Sequence, residues 1–354
     1  MYKGKKVIDI HGHVSNPDGV FQFIASMLAS NTAKASPLAS VPPAGNAFDA
    51  HIRQMDTQGL GDEQFKQSNA AHIKEIDDRG IDFQVVGPRP YMYMGWMQPH
   101  LIPSWARFIN DTIHKQVQNH PDRFAGACQL PQYSKAPDIS HCIPELERCV
   151  KELGFVATYA SPDPSGHRDT PGMHEPYWYP LYEKCQELDI PIIVHGTTCQ
   201  DPRVAVVPQN YQLGFLQEQY LANMFLQHSD VFTRFPKLKV MICHCGGALD
   251  RFLKTDPHLA QKDLSNNLFY DTCAYDLNFL EAAIKQRTPD RMMFGTEVPG
   301  SGRAVRPETG RPGDDLLPII SNFPFLSEED KLKMFHTNAL KFAPRLAKLL
   351  ERAK

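Results

Sequence analysis

The sequence lacks paired cysteines of the kind that bind zinc or exchange disulfides. It has eight cysteines among 354 residues, but none are spaced as Cys-x-x-C, which argues against zinc-ribbon and thioredoxin-like sites. A chain of this length can bury a full core without disulfide bonds. We therefore expect reduced thiols and a cytoplasmic protein.

Long apolar runs and an excess of charge of one sign are also missing. The first six residues include three lysines and no apolar signal segment, so no secretory signal is expected. Apolar stretches elsewhere are too short to span a membrane. The formal net charge of -3 gives no basic surface for nucleic acid or anionic lipid. We expect neither nucleic acid nor a membrane as a partner.

Eight short apolar runs alternate with helical patterns along the chain. The runs are continuous, as is typical of parallel strands covered by helices. We predict strands at residues 6–11, 81–87, 124–130, 154–160, 191–195, 238–244, 268–273 and 291–297. We predict helices at residues 49–79, 103–119, 139–153, 178–188, 211–234, 248–262, 276–285 and 327–350, the last one with Ser327 as its N-cap.

This alternation predicts a (β/α)8 TIM barrel, in the α/β class. An open doubly wound sheet is the alternative, but His11-Gly12-His13 stands where that fold has a glycine-rich phosphate loop. We expect residues 1–354 to form one barrel domain with long insertions at residues 14–48 and 299–318. Both insertions follow strands and should lie on the C-terminal face, where long loops form lids or substrate walls.

Five residues that can bind metal or transfer protons fall at predicted strand ends. His11 and His13 are two apart on the first strand, so their side chains point to the same side. His195 ends the fifth strand, His244 the sixth and Glu297 the eighth. A single histidine at a strand end is more often an ordinary core residue than a metal ligand. Five residues on four strands, at the face where barrel enzymes place their chemistry, indicate a metal site.

The donor set predicts a single metal ion. Three imidazoles and one carboxylate suit Zn²⁺, with Mn²⁺ or Fe²⁺ as alternatives. A two-metal site needs a bridging ligand, commonly a Lys or Glu on the fourth strand. That strand ends Ala157-Thr158-Tyr159-Ala160 and offers neither.

The pattern of these residues resembles the amidohydrolase superfamily. Residues 235–240, 244–248 and 294–297 are similar to its amidohydrolase-2 branch, which includes the aminocarboxymuconate semialdehyde decarboxylase group. The resemblance covers essentially the whole chain. It implies a metal-dependent enzyme on a TIM barrel, with a small carboxylated molecule as substrate and a homo-oligomeric assembly.

The acid at position 297 separates subgroups of this branch, because its decarboxylases usually carry Asp there. Glu297 instead resembles two zinc-dependent groups in lignin catabolism, a meta-cleavage product hydrolase and 4-oxalomesaconate hydratase. The sequence around Arg89 and Glu297 looks closer to the hydrolase, and residues 142–150 and 162–166 look closer to the hydratase. We expect a hydrolase that cleaves a C–C bond in a carboxylated keto or enol dienoate. Hydration and non-oxidative decarboxylation are the alternatives.

The resemblance also implies roles for the five strand-end residues. His11, His13, His195 and Glu297 would bind the metal, and His244 would be the general acid and base, since imidazole moves protons in both directions near neutral pH. The alternative makes His244 the fourth histidine ligand and Glu297 the base. Two departures from the relatives, Ser161 and Cys245, leave the exact substrate open.

A carboxylated substrate needs cations on the same face. An arginine at a strand end can bind a carboxylate through two parallel hydrogen bonds. An aromatic side chain nearby would form a wall for a ring-derived substrate. The candidate substrate-binding residues are Arg89, Arg251, Arg303 and Tyr91.

Overall fold

The computed structural model describes residues 1–32, 62–201, 203–204, 210–251, 255 and 262–352. Its eight strands are parallel, and neighbours in the sheet follow the chain order. They are β1 (Ile8–His13), β2 (Phe83–Gly87), β3 (Phe124–Gln129), β4 (Ala157–Ala160), β5 (Ile192–Val194), β6 (Val240–Ile242), β7 (Leu268–Asp271) and β8 (Met292–Met293).

The sheet closes between β1 and the chain that follows β8. The amide of Ile10 donates to the carbonyl of Phe294 at 2.9 Å, and the amide of Glu297 donates to the carbonyl of His11 at 2.7 Å. These bonds bring the two ends of the sheet together. The predicted (β/α)8 barrel is therefore confirmed, and His11 lies beside Glu297.

Side chains of the strands alternate between the barrel interior and the helical layer. Ile193 and Met241 belong to an interior apolar cluster, whereas Ile192 and Val240 belong to the cluster that includes the helices. Because successive strand residues point to opposite faces, a strand covered on both faces must be apolar throughout. This accounts for the continuous apolar runs in the sequence.

Helices connect the strands and cover the sheet. They are α1 (Asp18–Thr32), α2 (Asp62–Asp78), α3 (Ile102–Asn119), α4 (Ile143–Lys151), α5 (Tyr179–Leu188), α6 (Asn210–His228), α7 (Val231–Arg234), α8 (Leu277–Arg287), α9 (Leu317–Ser321), α10 (Glu328–Leu332), α11 (Asn338–Phe342) and α12 (Leu346–Arg352). Single 3-10 turns lie at Pro90–Met92, Ile139–Cys142, Pro176–Trp178, His244–Gly246 and Ser301–Arg303. Within the described ranges, no helix has the length and apolarity needed to cross a membrane.

The last helical stretch, predicted as one helix, is broken into pieces. It starts as predicted, with Ser327 and Asp330 forming a reciprocal capping box. A π-helical turn at Lys333–Thr337 follows, and the helix stops at Phe342 ahead of Pro344, which has no amide hydrogen to donate. The pieces turn Phe342 and Leu346 toward the interior cluster.

Two other predictions need correction. Residues 14–48 were expected to form a loop, but α1 occupies part of them because Val20 and Ile24 bury one helical face. Residues 248–251 are not helical, since the chain enters them from Gly246 and Gly247, both at positive φ. The loop and helix predicted within residues 33–61, and most of the helix predicted within residues 252–261, lie outside the described residues.

The insertion after Glu297 packs against α2. A buried ion pair joins Arg79 Nε and Asp314 Oδ1 at 2.7 Å. Arg311 donates to the carbonyl of Asp78 at 2.9 Å. These contacts attach the later part of the insertion to the C-terminal end of α2, next to the turn that leads into β2.

Candidate metal centre

Four buried side chains converge at the C-terminal mouth of the barrel. His11 and His13 lie on β1, His195 directly follows β5, and Glu297 follows β8 by four residues. One donor atom from each lies within 4.8 Å of the others. A register shift in β1 between Asp9 and Gly12 aims the side chains, since a bulge changes which residues of a strand face inward.

Each of these histidines has one ring nitrogen held by an acceptor. His11 Nδ1 lies 2.6 Å from Asp271 Oδ2, His13 Nδ1 lies 2.9 Å from the carbonyl of Pro88, and His195 Nδ1 lies 2.7 Å from the carbonyl of Gly196. Because these partners accept, each Nδ1 carries the proton and each Nε2 keeps its lone pair. All three Nε2 atoms are buried and have no hydrogen-bond partner among the described residues.

The electrostatics of the cluster favour neutral imidazoles at His13 and His195 beside an ionised carboxylate. Burial lowers the pKa of His13 to about 4 and holds that of His195 well below its usual value. Burial would lower the pKa of His11 as well, but its bond to the Asp271 carboxylate raises it. Burial would raise the pKa of Glu297, but the adjacent His13 and His244 hold it well below its ordinary range. Three free Nε2 lone pairs and one carboxylate, all desolvated, form a donor set that fits a divalent cation.

Glu297 is directed into the cluster by an unusual backbone conformation. Its φ angle is +66°, a left-handed conformation that costs energy for a residue with a side chain. Oε1 lies 3.7 Å from His13 Nε2. Oε2 points away and accepts hydrogen bonds from Ser301 and Tyr275. The two carboxylate oxygens therefore have different surroundings.

His244 differs from the other three histidines. Its Nε2 is also buried without a partner and lies 3.5 Å from Glu297 Oε1. Its Nδ1 faces the side-chain amide of Gln219, with the amide nitrogen at 3.0 Å and the amide oxygen at 3.1 Å. An amide can donate or accept, so this partner does not fix the proton on one ring nitrogen. Phe215 stacks on the ring at a centroid distance of 5.1 Å.

The fourth strand contributes a tyrosine to the centre. The Tyr159 ring lies 6.4 Å from the rings of His13 and His195, and its hydroxyl donates to the carbonyl of Gly12 at 3.3 Å. The described residue of β4 that faces these histidines is therefore a tyrosine, not a Lys or Glu. His11 also lies near two other donor groups, one with His244 and Cys273 and one with Cys243 and Asp271. Asp271 is already engaged by His11.

Three buried polar residues of the centre were missed in the sequence. Asp271 ends β7 and binds His11, Gln219 on α6 binds His244, and Asp9 accepts from Gln84 and Thr296 at 2.8 and 2.5 Å. The acids had a detectable signal, since Asp9 lies between two isoleucines of β1 and Asp271 directly follows three apolar or aromatic residues of β7. Gln219 had none, because nothing in a helix sequence marks which polar residue reaches another element.

A cavity of about 850 Å³ opens beside the centre, between α1, α2 and the insertion. Arg89 and Arg303 line it, and so does Gly300, which packs against Glu297. The guanidinium of Arg89 lies 5.1 Å from the centre of the Phe21 ring, and its Nε donates to the carbonyl of Val14 at 3.3 Å. No described carboxylate forms an ion pair with Arg89.

The other predicted substrate residues are placed less directly. Arg303 is largely exposed and pairs with Glu75 at 2.8 Å. Tyr91 is half-buried against the core, and Arg251 is exposed and does not line the cavity. The structure therefore brings Arg89 and Arg303 to one cavity. Roles for all four residues remain predictions.

A family model and several known proteins match most of this chain. The family model described as "Amidohydrolase" matches residues 8–344. A 2-keto-4-carboxy-3-hexenedioate hydratase from Sphingobium sp. is 34% identical over an alignment of 313 positions that covers 83% of this chain and 88% of that protein.

Solved structures agree with this match. A 4-oxalomesaconate hydratase from Rhodopseudomonas palustris superimposes with a TM-score of 0.78 at 31% identity, covering 98% of both chains. A dihydroxybenzoic acid decarboxylase from Polaromonas sp. JS666, solved with bound manganese and an inhibitor, has a TM-score of 0.66 at 20% identity and covers 99% of this chain and 98% of its own. The last comparison bears on the fold alone.

Proposed function

This chain belongs to the amidohydrolase family, and we propose that it is a metal-dependent hydratase of a keto tricarboxylate. The substrate class is that of 2-keto-4-carboxy-3-hexenedioate, in which a ketone is conjugated to a carbon–carbon double bond. Water adds as a hydroxyl to C4 and a proton to C3. The atoms balance without an oxidant or a reductant.

The comparisons support hydration over C–C hydrolysis. The relative at 34% identity and the solved structure at 31% identity are both hydratases. The sequence around Arg89 and Glu297 favoured C–C hydrolysis. We replace that expectation by hydration, which was its alternative. Decarboxylation is the second candidate, because a gamma-resorcylate decarboxylase from Rhodococcus jostii is 30% identical over an alignment that covers 75% of this chain.

Metal binding is supported by four converging side chains, whose three histidine Nε2 atoms have no hydrogen-bond partner in the described structure. His11, His13, His195 and Glu297 would hold one divalent ion, which when bound supplies Lewis acidity to polarise a keto or carboxylate oxygen. Three imidazoles with one carboxylate favour Zn²⁺. Manganese stands in one solved relative, so the proposal extends to Mn²⁺ and Fe²⁺.

His244 is the residue proposed to move the protons. Its Nε2 is desolvated, lacks a described partner and lies at the edge of the cluster. It would accept a proton from water as the water oxygen bonds to C4, and then release a proton to C3. The Gln219 amide accepts from Nδ1 when the ring is charged and accommodates either neutral form.

Direct assay tests the proposal. Protein reconstituted with Zn²⁺ or Mn²⁺ and mixed with 2-keto-4-carboxy-3-hexenedioate should lose the absorbance of the conjugated ketone with catalytic turnover. The same protein mixed with 2,6-dihydroxybenzoate should release no carbon dioxide. Turnover of the second compound alone would replace hydration by decarboxylation.

Arg89 is proposed to bind a substrate carboxylate. The Arg89→Lys variant keeps the charge but loses the planar donor pair, so KM should rise about 10- to 100-fold while kcat changes much less. Steady-state kinetics measures both constants. Exposed Arg107 gives the control Arg107→Lys, which should behave as wild type. An unchanged KM in Arg89→Lys would remove this residue from the substrate site.

Asp271 is proposed to hold His11 in its metal-binding orientation. Its Oδ2 faces His11 Nδ1, and its Oδ1 accepts from the amides of Cys245 and Cys273 at 2.9 and 3.1 Å. All three neighbours donate, so the amide group of Asp271→Asn must lose at least one bond. Metal affinity should fall about 10- to 100-fold in competition with a chromogenic chelator.

Exposed Asp290 provides the matched control for that experiment. In the described structure its carboxylate pairs only with the half-buried Lys333. Asp290→Asn should leave metal affinity unchanged. Equal affinity in Asp271→Asn and Asp290→Asn would show that the His11–Asp271 bond serves packing alone.

A further inference from the structure

Two hydroxyl groups approach Glu297 from the side away from the histidines. Ser301 Oγ donates to Glu297 Oε2 at 2.7 Å. Tyr275 OH lies 3.0 Å from the same oxygen and 3.1 Å from the carbonyl oxygen of Thr296, so these two acceptors share its proton. We propose that Ser301 and Tyr275 are positioning residues that hold Oε2, so that Oε1 alone is offered to the cation. This hydroxyl clamp rests on the proposed metal role of Glu297.

The turn after Glu297 is built to bring Ser301 back to it. A Cβ atom on Gly300 would lie 2.2 Å from the carbonyl oxygen of Glu297 and 2.9 Å from its Cγ. Only glycine lets the chain pass that close, because the nearest obstacle is backbone and cannot rotate away. The short distance between Gly300 and Glu297 places Ser301 within reach of the carboxylate.

The second half of the clamp is fixed by the same insertion. A Cβ on Gly302 would lie 2.7 Å from Cζ of the Tyr275 ring, so Gly302 packs directly on the phenol. Arg306 donates to the carbonyl of Tyr275 at 2.6 Å and to that of Gly313 at 2.7 Å. Two glycines therefore flank Ser301, one against Glu297 and one against Tyr275.

The hydroxyl clamp restricts the conformational freedom of the glutamate side chain. Its side chain has one more rotatable bond than aspartate and loses more conformational freedom when it is ordered. A carboxylate free to turn could offer the cation either oxygen. Hydrogen bonds from two neutral donors fix its orientation, as partners of metal ligands commonly do. Cys273 Sγ also donates to Oε2, at 3.9 Å, but a thiol is a weaker donor than a hydroxyl.

Metal affinity of the purified chain tests the clamp. Ser301→Ala and Tyr275→Phe should each weaken Zn²⁺ binding about tenfold, and the double variant about 100-fold, in competition with a chromogenic chelator. Ser301→Thr, which keeps the hydroxyl, should restore most of the affinity. The melting temperature of each metal-free variant reports on folding separately.

Tyr177 supplies the matched control, since its buried hydroxyl has no hydrogen-bond partner in the described structure. Tyr177→Phe should bind Zn²⁺ as wild type does. Folded Ser301→Ala and Tyr275→Phe variants with wild-type affinity would overturn the clamp and leave the metal site intact. A wild-type chain that binds no Zn²⁺ or Mn²⁺ would overturn the proposed function and the clamp together.

Discussion

The His244→Asn variant is expected to lower kcat for hydration by about 10²- to 10⁴-fold, the usual contribution of a general acid–base group. Asparagine keeps a polar group facing Gln219 but cannot take up a proton. His244 Nε2 has no hydrogen-bond partner in the described structure. The Gln219 amide at Nδ1 can donate or accept, so it does not fix which ring nitrogen carries the proton. Steady-state kinetics on metal-reconstituted protein measures the loss.

The metal content of that variant separates two roles for His244. If it transfers protons, His244→Asn should still bind one metal ion with wild-type affinity. If it is instead a fourth ligand and Glu297 is the base, affinity should fall together with activity. His100, which is exposed, gives the control His100→Asn. Near wild-type kcat in His244→Asn would remove the residue from the mechanism.

Removal of the metal is expected to have an equally large effect. A Lewis acid stabilises developing charge by several kcal/mol, so dialysis against a strong chelator should lower kcat/KM by about 10²- to 10⁴-fold, at 1.4 kcal/mol per factor of ten. Addition of Zn²⁺ or Mn²⁺ should restore the activity. The assay follows loss of the conjugated ketone during titration with each ion.

The His195→Gln variant tests whether the effect of the metal arises at this centre. Its Nε2 is one of the converging donors, so added metal should not restore activity in this variant at concentrations that saturate wild type. Surface histidines such as His167, exposed in the structure, serve as controls. Full activity in chelated protein that contains no metal would rule out a metal-dependent mechanism.

The sequence predicted the barrel and the convergence of the strand-end residues for one physical reason. Parallel strands in chain order place their C-terminal ends on one face, so residues far apart in sequence had to meet there. Seven of the eight described strands are shorter than predicted, and β1 keeps its length but lies two residues later. His244 and Glu297 follow β6 and β8 by two and four residues. Their positive φ angles, which aim both side chains, have no signature in the sequence.

The remaining features depend on contacts between distant elements. Asp271 meets His11 across the barrel, and Gln219 reaches His244 from a helix. Neither pairing follows from local periodicity. The motifs also did not decide between hydrolysis and hydration, because the sequence around Arg89 and Glu297 looked closer to one group and residues 142–150 and 162–166 looked closer to the other. The proposal of hydration rests on similarity to two hydratases over most of the chain.

Product analysis tests the central claim most directly. Metal-reconstituted protein is incubated with 2-keto-4-carboxy-3-hexenedioate in D₂O, and the product is followed by proton and carbon NMR. Hydration predicts a single product of unchanged carbon skeleton, with a hydroxyl on C4, deuterium on C3 and no vinylic proton. Carbon dioxide, or two smaller fragments, as the product would contradict the account.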